Sequence, residues 1–377
     1  MTSSAPAESK APPMGGPLRN ENAMKIGLFA MNCKGGPSLS TYPHNRIVPT
    51  WQEQVALAQA ADRSGWEFLI PLGRWRGLGG ASDPVGAQYE VFTWAAGLTA
   101  VTEHIHVLAT AHSLLFEPLV AAKQGATIDN IGGGRFGLNI VAGWNEAEMA
   151  MFGKKIPDHD ARYAMADEWT TLVRRLWSEP EPFNFSGDHY SAKDASLSPM
   201  PVHQPVIVQA GLSPEGMAFA ARHADFGFQA YPEIGPLAKM GADLRRLAEG
   251  HGREIGVIST AYVVCADTEA EANRFHDHFV DELGDVVAAD NLIEQLIGGV
   301  AKSWPTDAYR AMARGLTASW GAYPLIGTPE MIVEKLAELR AIGVDGVALS
   351  WLDYAAGIEQ FNEQIVPLMV DAGLRKS

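Results

Sequence analysis

From Lys25 onward, two hydrophobic periods alternate along the chain. Short β-branched or apolar runs, KIGLFAM (25–31), EFLIPL (67–72), HIHVLAT (104–110) and RFGLNIVA (135–142), are separated by stretches whose apolar residues recur at helical spacing. The series continues through PVIVQAG (205–211), DFGFQA (225–230), IGVISTAYVV (255–264) and DGVALSWLD (345–353). Eight buried strands with helices between them predict an α/β fold, a (β/α)8 TIM barrel, rather than an open doubly wound sheet. One helix is delimited at both ends: Thr328 can cap it, Pro329 fits its first turn, Ile332, Leu336 and Leu339 recur at helical spacing, and Gly343 stops it. Residues 181–200 and 284–327 exceed what plain strand-to-helix loops need, so they are expected as insertions at the carboxyl-end mouth. Residues 1–23, rich in Pro, Ser, Ala and Gly, read as a disordered leader, leaving 24–377 as a single barrel domain.

Composition narrows the function. Against 44 Asp+Glu stand 29 Lys+Arg, a net charge of −15 with no dense basic block, which argues against nucleic acid and anionic membrane surfaces as partners. The two cysteines, Cys33 and Cys265, are too far apart in sequence for a CxxC metal motif and too few for a disulfide scaffold. The N-terminal stretch has no signal-peptide core, and no apolar run approaches the roughly 18 residues needed to cross a bilayer, so a cytoplasmic protein is expected.

In a TIM barrel the chemistry sits at the carboxyl ends of the strands. The residues there include Asn32, Gly73, Arg74, Thr110, Asn139 to Trp144, Ala210 to Ser213, Gln229 and Ser350 to Asp353. Few are ionisable. They contain neither a nucleophile with its base nor a carboxylate pair, and amides, hydroxyls and aromatics point instead to a bound cofactor carrying the reactive atom. In AGLSPEG (210–216) a strand ends at Gly211 and Ser213 can cap a helix begun by Pro214, which would leave backbone N–H groups for a terminal phosphate. The alternative is an ordinary cap with no ligand. GGGRFGLN (132–139) precedes a strand instead of following one, so it reads as a tight turn, not a dinucleotide fingerprint. The spaced pairs His104/His106 and His276/His278 lack a third ligand, so no metal is expected. Trp144, Trp320, Trp351 and Tyr354 could line an aromatic cavity for a planar ligand, or simply pack the core.

Read together, TIDNIGGGRFGLNIVAGWNEAEM (127–149), HDARY (159–163), AGLSPEGMAFAARHADFGF (210–228), LIGTPEMIVEKL and GIEQFNEQIVPLM resemble bacterial luciferase-like flavin monooxygenases, most of all the pyrimidine monooxygenase subgroup. The resemblance implies an enzyme that takes reduced FMN from a separate NAD(P)H-dependent flavin reductase and uses O2 to oxygenate and cleave a small N-heterocyclic substrate. By motif it implies flavin contacts at Asn139, Glu148, Arg162, Tyr163 and Ser213; at Gly73 and Arg74 it implies backbone contacts to the flavin with a changed substrate-facing side chain, and Gly211 belongs to the phosphate turn read above. It also places O2 beside the flavin at Thr110 and Asn139, as hydrogen-bond donors that do not compete as bases. A homodimer or homotetramer is the expected assembly. Gly73-Arg74 replaces Ile-Lys of the pyrimidine enzymes, and His112 and Phe116 replace smaller groups, so uracil itself is not the implied substrate. A sulfone or alkanesulfonate monooxygenase, with Lys34, Arg74 and Arg76 as candidate cations, a deazaflavin-dependent dehydrogenase and a non-enzymatic flavin-binding protein are the alternatives.

Overall fold

The computed structural model describes Leu18 and residues 20–298 and 304–376. Its strands are β1 Lys25–Phe29, β2 Phe68–Ile70, β3 His106–His112, β4 Phe136–Val141, β5 Phe183–Ser186, β6 Ser191–Ala195, β7 Val206–Gln209, β8 Phe226–Gln229, β9 Gly256–Cys265, β10 Tyr323–Gly327 and β11 Gly346–Ser350. All eight expected strands are present, and their parallel pairings run β1–β2–β3–β4–β7–β8–β9–β11 and back to β1, closing a barrel. Each connection carries at least one helix, which covers the outer face.

Alternation along the strands sorts side chains between two layers. On β3, Val107, Ala109 and Ala111 join the layer beneath the helices, whereas Leu108 belongs to the cluster inside the barrel with Val206, Val208, Phe228 and Ile258. By the same parity Thr110 and His112 face inward at the carboxyl end of β3. Register places Thr110 directly beside Asn139 of β4. Trp66, Trp94 and Trp169 are fully buried in the outer layer, each worth roughly 2 to 3 kcal/mol of removed apolar surface.

Two regions go beyond the minimal barrel. Residues 181–200 contain the antiparallel hairpin β5–β6. Residues 284–327 supply the helices Val286–Ile297 and Thr306–Ser319 and also a ninth wall strand, β10, which the sequence pattern did not predict. Ala261 and Tyr262 of β9 pair with both β10 and β11, so β10 must lie on the opposite side of β9 from β11. There it extends the wall past the end of β8. The leader expected over 1–23 falls, for residues 1–17 and 19, outside the described residues. Its last part is held against the barrel: Leu18 is buried, and Asn20 and Asn22 donate to Glu67. Among the described residues, no helix is long and apolar enough to cross a membrane.

Candidate functional site

The carboxyl ends of the strands surround a cavity of about 490 Å³. Gly73, Arg74, Thr110, Asn139, Arg162, Tyr163, Gly211 and Ser213 all line it, so residues chosen from motifs up to 140 positions apart meet in one place.

The cavity floor is built by neighbouring strands. Asn139 Nδ2 donates to Thr110 Oγ1 at 3.2 Å, and the Thr110 hydroxyl donates onward to the Pro71 carbonyl at 2.5 Å. The Thr110 proton is therefore already committed. Thr110 cannot serve as the donor that the motif implied; it orients Asn139, whose second N–H and buried, unpartnered Oδ1 remain available. Gly73 lies so close to β3 that a Cβ there would meet the Thr110 carbonyl at 2.5 Å, which keeps the β2 loop against this floor.

One end of the cavity is a helix N-terminus. Ser213 caps the helix Pro214–His223, accepting from the Gly216 N–H at 3.1 Å, with Pro214 in the first turn. Gly211 and Gly216 leave room for the Tyr163 hydroxyl, which a Cβ at either position would meet at 2.5 or 2.7 Å. Tyr163 and Arg162 come from the first turns of the helix His159–Ser178. Burial raises the Tyr163 phenol above its ordinary value, opposed by a hydrogen bond to Ser213, so it stays protonated near neutrality. Arg162 donates to the Gly143 carbonyl, and its Nε has no partner.

The other end carries Arg74, His112, Trp144, Ser319 and Trp320. Burial lowers the His112 imidazole to about 4, so it is neutral at physiological pH. Trp320 ends the helix Thr306–Ser319 at φ 49°, a left-handed conformation that costs a bulky residue energy.

Glu148 differs from expectation. It does not line the cavity: its Oε1 accepts from Arg74 Nε at 2.6 Å and from the backbone N–H of Trp75 and Arg76. Asn145 caps the short helix Glu146–Met151 and so fixes Glu148 behind the wall, against Arg74 and the Trp75–Arg76 backbone, with Oε2 left unpartnered. The proposed aromatic set also divides. Trp144 and Trp320 reach the cavity, whereas Trp351 packs on Trp66 and Phe361, and Tyr354 donates to the Phe29 carbonyl. Of the histidine pairs, His276 is bonded to Tyr262 and His278 to Glu282.

Two polar contributors escaped sequence reading. Gln209 is 2% exposed with an unpartnered Oε1, and Gln295 accepts from both Asn145 and Arg74. Gln209 ends a predicted strand and could have been found there; Gln295 lies in an insertion and carries no signal. A second cavity of about 470 Å³ shares Ser319 with the first. Its buried polar groups satisfy one another, as in Ser319–Ser350 at 3.0 Å, whereas the first cavity gathers unpartnered ones.

A family model described as luciferase-like monooxygenase matches residues 24–346. The pyrimidine monooxygenase RutA of Acinetobacter baylyi is 32% identical over 353 residues, which cover 92% of this chain and 95% of that protein. The same-named protein of Escherichia coli is 33% identical over 371 residues, 96% of each. Among solved structures, a riboflavin lyase crystallised with modified FMN and riboflavin superposes with a TM-score of 0.84 at 22% identity, covering 94% of this chain and 93% of that one, a likeness of fold.

Proposed function

The chain belongs to the luciferase-like monooxygenase family, and from that premise we propose that it is a two-component FMNH2-dependent enzyme that oxygenates and cleaves a small N-heterocyclic compound. The observation that carries this reading is the cavity in which a helix N-terminus, an amide with free hydrogen-bonding capacity and an aromatic wall converge, and in which, among the described residues, no lining hydroxyl is hydrogen-bonded to a histidine.

The residues present fit FMN. Ser213, the backbone N–H groups around it, Arg162 and Tyr163 would hold the phosphate; Tyr163 reaches this turn because Gly211 and Gly216 carry no Cβ. Asn139 and Gln209 offer unpartnered amide oxygens for ring N–H groups. When bound, reduced FMN supplies the electrons with which O2 is activated. The protein does the rest: Thr110 holds Asn139 in one orientation, so that its remaining N–H can donate where negative charge develops on oxygen without removing a proton. Phe29, Val141 and Phe228 exclude water from the same space. The reduced flavin would come from a separate NAD(P)H:flavin reductase through transient encounter, with the barrel itself a homodimer or homotetramer.

The names of the curated relatives favour a pyrimidine-like ring. The test is an assay with photoreduced FMN, 18O2 and a panel of pyrimidines, pyridones, sulfones and alkanesulfonates, read by mass spectrometry. One labelled oxygen in a heterocycle-derived product is expected. Turnover that leaves every product unlabelled would overturn the reading.

A further inference from the structure

The resemblance implies backbone contacts to the flavin at Arg74 and a side chain turned to the substrate; what that side chain can take follows from its surroundings. Its side chain is only 3% exposed, and Glu148, its ion-pair partner, 1%. The guanidinium is enclosed by the rings of Trp144, at 4.8 Å, and Trp320, at 5.6 Å. Nε is bonded to Glu148 and Nη2 to Gln295, which fixes the plane of the group. Nη1 has no partner, nor has Nε1 of Trp320. Both side chains line the cavity, so its wall holds two buried donors without partners, beside the unpartnered His112 Nδ1 and with the unpartnered Glu148 Oε2 behind them. Leaving such donors unpaired is costly, a cost that a ligand oxygen would remove.

Charge decides which oxygen. Glu148 already neutralises Arg74, and His112, the third polar group at this end, is neutral. The remaining arginine of the cavity, Arg162, is bonded to Gly143 beside the helix N-terminus. A carboxylate or sulfonate next to Arg74 would therefore add an uncompensated anion to a buried neutral pair. An uncharged carbonyl oxygen accepts both N–H groups and adds no net charge.

Resting on the monooxygenase reading, we infer that Arg74 and Trp320 form a subsite for an uncharged carbonyl oxygen of a planar substrate, and that Glu148 makes this subsite reject anions. Glu148 is a positioning residue, because it reaches the substrate only through Arg74.

Nicotinamide and nicotinate, equal in shape and different in charge, are the probes, titrated into the FMN-loaded protein by calorimetry. The wild type should bind nicotinamide about tenfold or more tighter than nicotinate. Glu148→Gln should reverse that ratio, Glu148→Asp should retain it, and Arg74→Met should abolish the distinction. A purely structural Glu148 would instead weaken both probes in Glu148→Gln alike, and that result overturns the inference, as does a wild type that prefers nicotinate or binds neither probe at millimolar concentration. Melting temperatures identify a variant that has lost its fold, in which case Glu148→Asp and the wild-type ratio decide. The two readings fail separately. An 18O-labelled product from an alkanesulfonate would sink the subsite and leave the monooxygenase, whereas unlabelled products with a switched ratio would do the opposite.

Discussion

Asn139 keeps an N–H and a carbonyl oxygen free at the one point where the Thr110 bond has fixed its plane. Asn139→Ala should cut product formation at least about 100-fold, the usual loss for one aligned donor, while the reductase continues to oxidise NADH. Retained turnover in that variant would remove Asn139 from the chemistry. Thr110→Val should act through the same amide, lowering turnover less than Asn139→Ala does, and Thr110→Ser should restore most of it. These partnerships were invisible in the sequence. The motif put Thr110 and Asn139 side by side and was right about their adjacency, but the Pro71 carbonyl that takes the hydroxyl proton comes from another strand end, and no spacing rule announces it. Glu148 shows the same limit: the family motif implies a flavin contact there, and only packing shows that its Oε1 is taken by Arg74 and the neighbouring backbone. His112 carries a pH consequence. Its folded value lies near 4 against an ordinary 6.5, so between those values the unfolded chain binds the proton and the native protein does not. Its contribution to stability is fully present above about pH 6.5 and is lost as the pH falls. His112→Gln should therefore lose roughly 1.5 kcal/mol less than the wild type between about pH 6.5 and 5, measured as urea denaturation midpoints; parallel slopes would show that the imidazole is not held neutral.

Two helices begin with almost the same residues and do different things. Ser213-Pro214-Glu215 and Thr328-Pro329-Glu330 each follow a strand, and each hydroxyl caps its helix through the third residue on. Local grammar cannot tell them apart, but β7 ends at the cavity, whereas β10 ends outside it. Ser213→Ala and Thr328→Ala should each cost about 1 kcal/mol, and only Ser213→Ala should weaken FMN binding, followed by flavin fluorescence. Equal FMN affinities in the two variants would remove the helix Pro214–His223 from the phosphate site. Legibility at this scale followed burial. The eight barrel strands are apolar on both faces, a pattern that sequence expresses directly. β10 (YPLIG) falls inside the segment read as an insertion for its length; its Pro324, which cannot donate to a ladder, is tolerated because, among the described residues, β10 pairs with β9 alone and has a free edge. The hairpin β5–β6 is short and largely exposed, so it lacks the alternation that would have marked it.

Across the whole barrel, function and stability occupy opposite ends. The carboxyl ends hold the unpartnered amides of Asn139 and Gln209 and the Arg74 guanidinium, a poor arrangement for stability that a ligand would complete. At the amino ends the reverse holds around Glu67, which is fully buried and fully used. Arg375 Nη1 reaches its two oxygens at 2.8 and 3.1 Å, Asn20 and Asn22 donate to one of them, and the Ile26 N–H to the other. This junction ties the residues before β1 and after the helix Val366–Asp371 to the start of β2. Sequence reading placed a boundary at residue 23 and gave Glu67 no role, because its partners lie 45 residues upstream and 308 downstream. Removing the guanidinium leaves a buried carboxylate with neutral donors only, so Arg375→Ala should cost about 3 kcal/mol or more in urea denaturation. Arg375→Lys should recover part of that loss, since one cation remains but the second hydrogen bond, from Nη2 to the Gly65 carbonyl, does not. Because the junction lies at the end of the barrel away from the cavity, FMN affinity and the nicotinamide-to-nicotinate ratio should be unchanged in folded Arg375→Ala. A shift in either would mean that the two ends are coupled through the strands, and the division of labour between them would have to be given up.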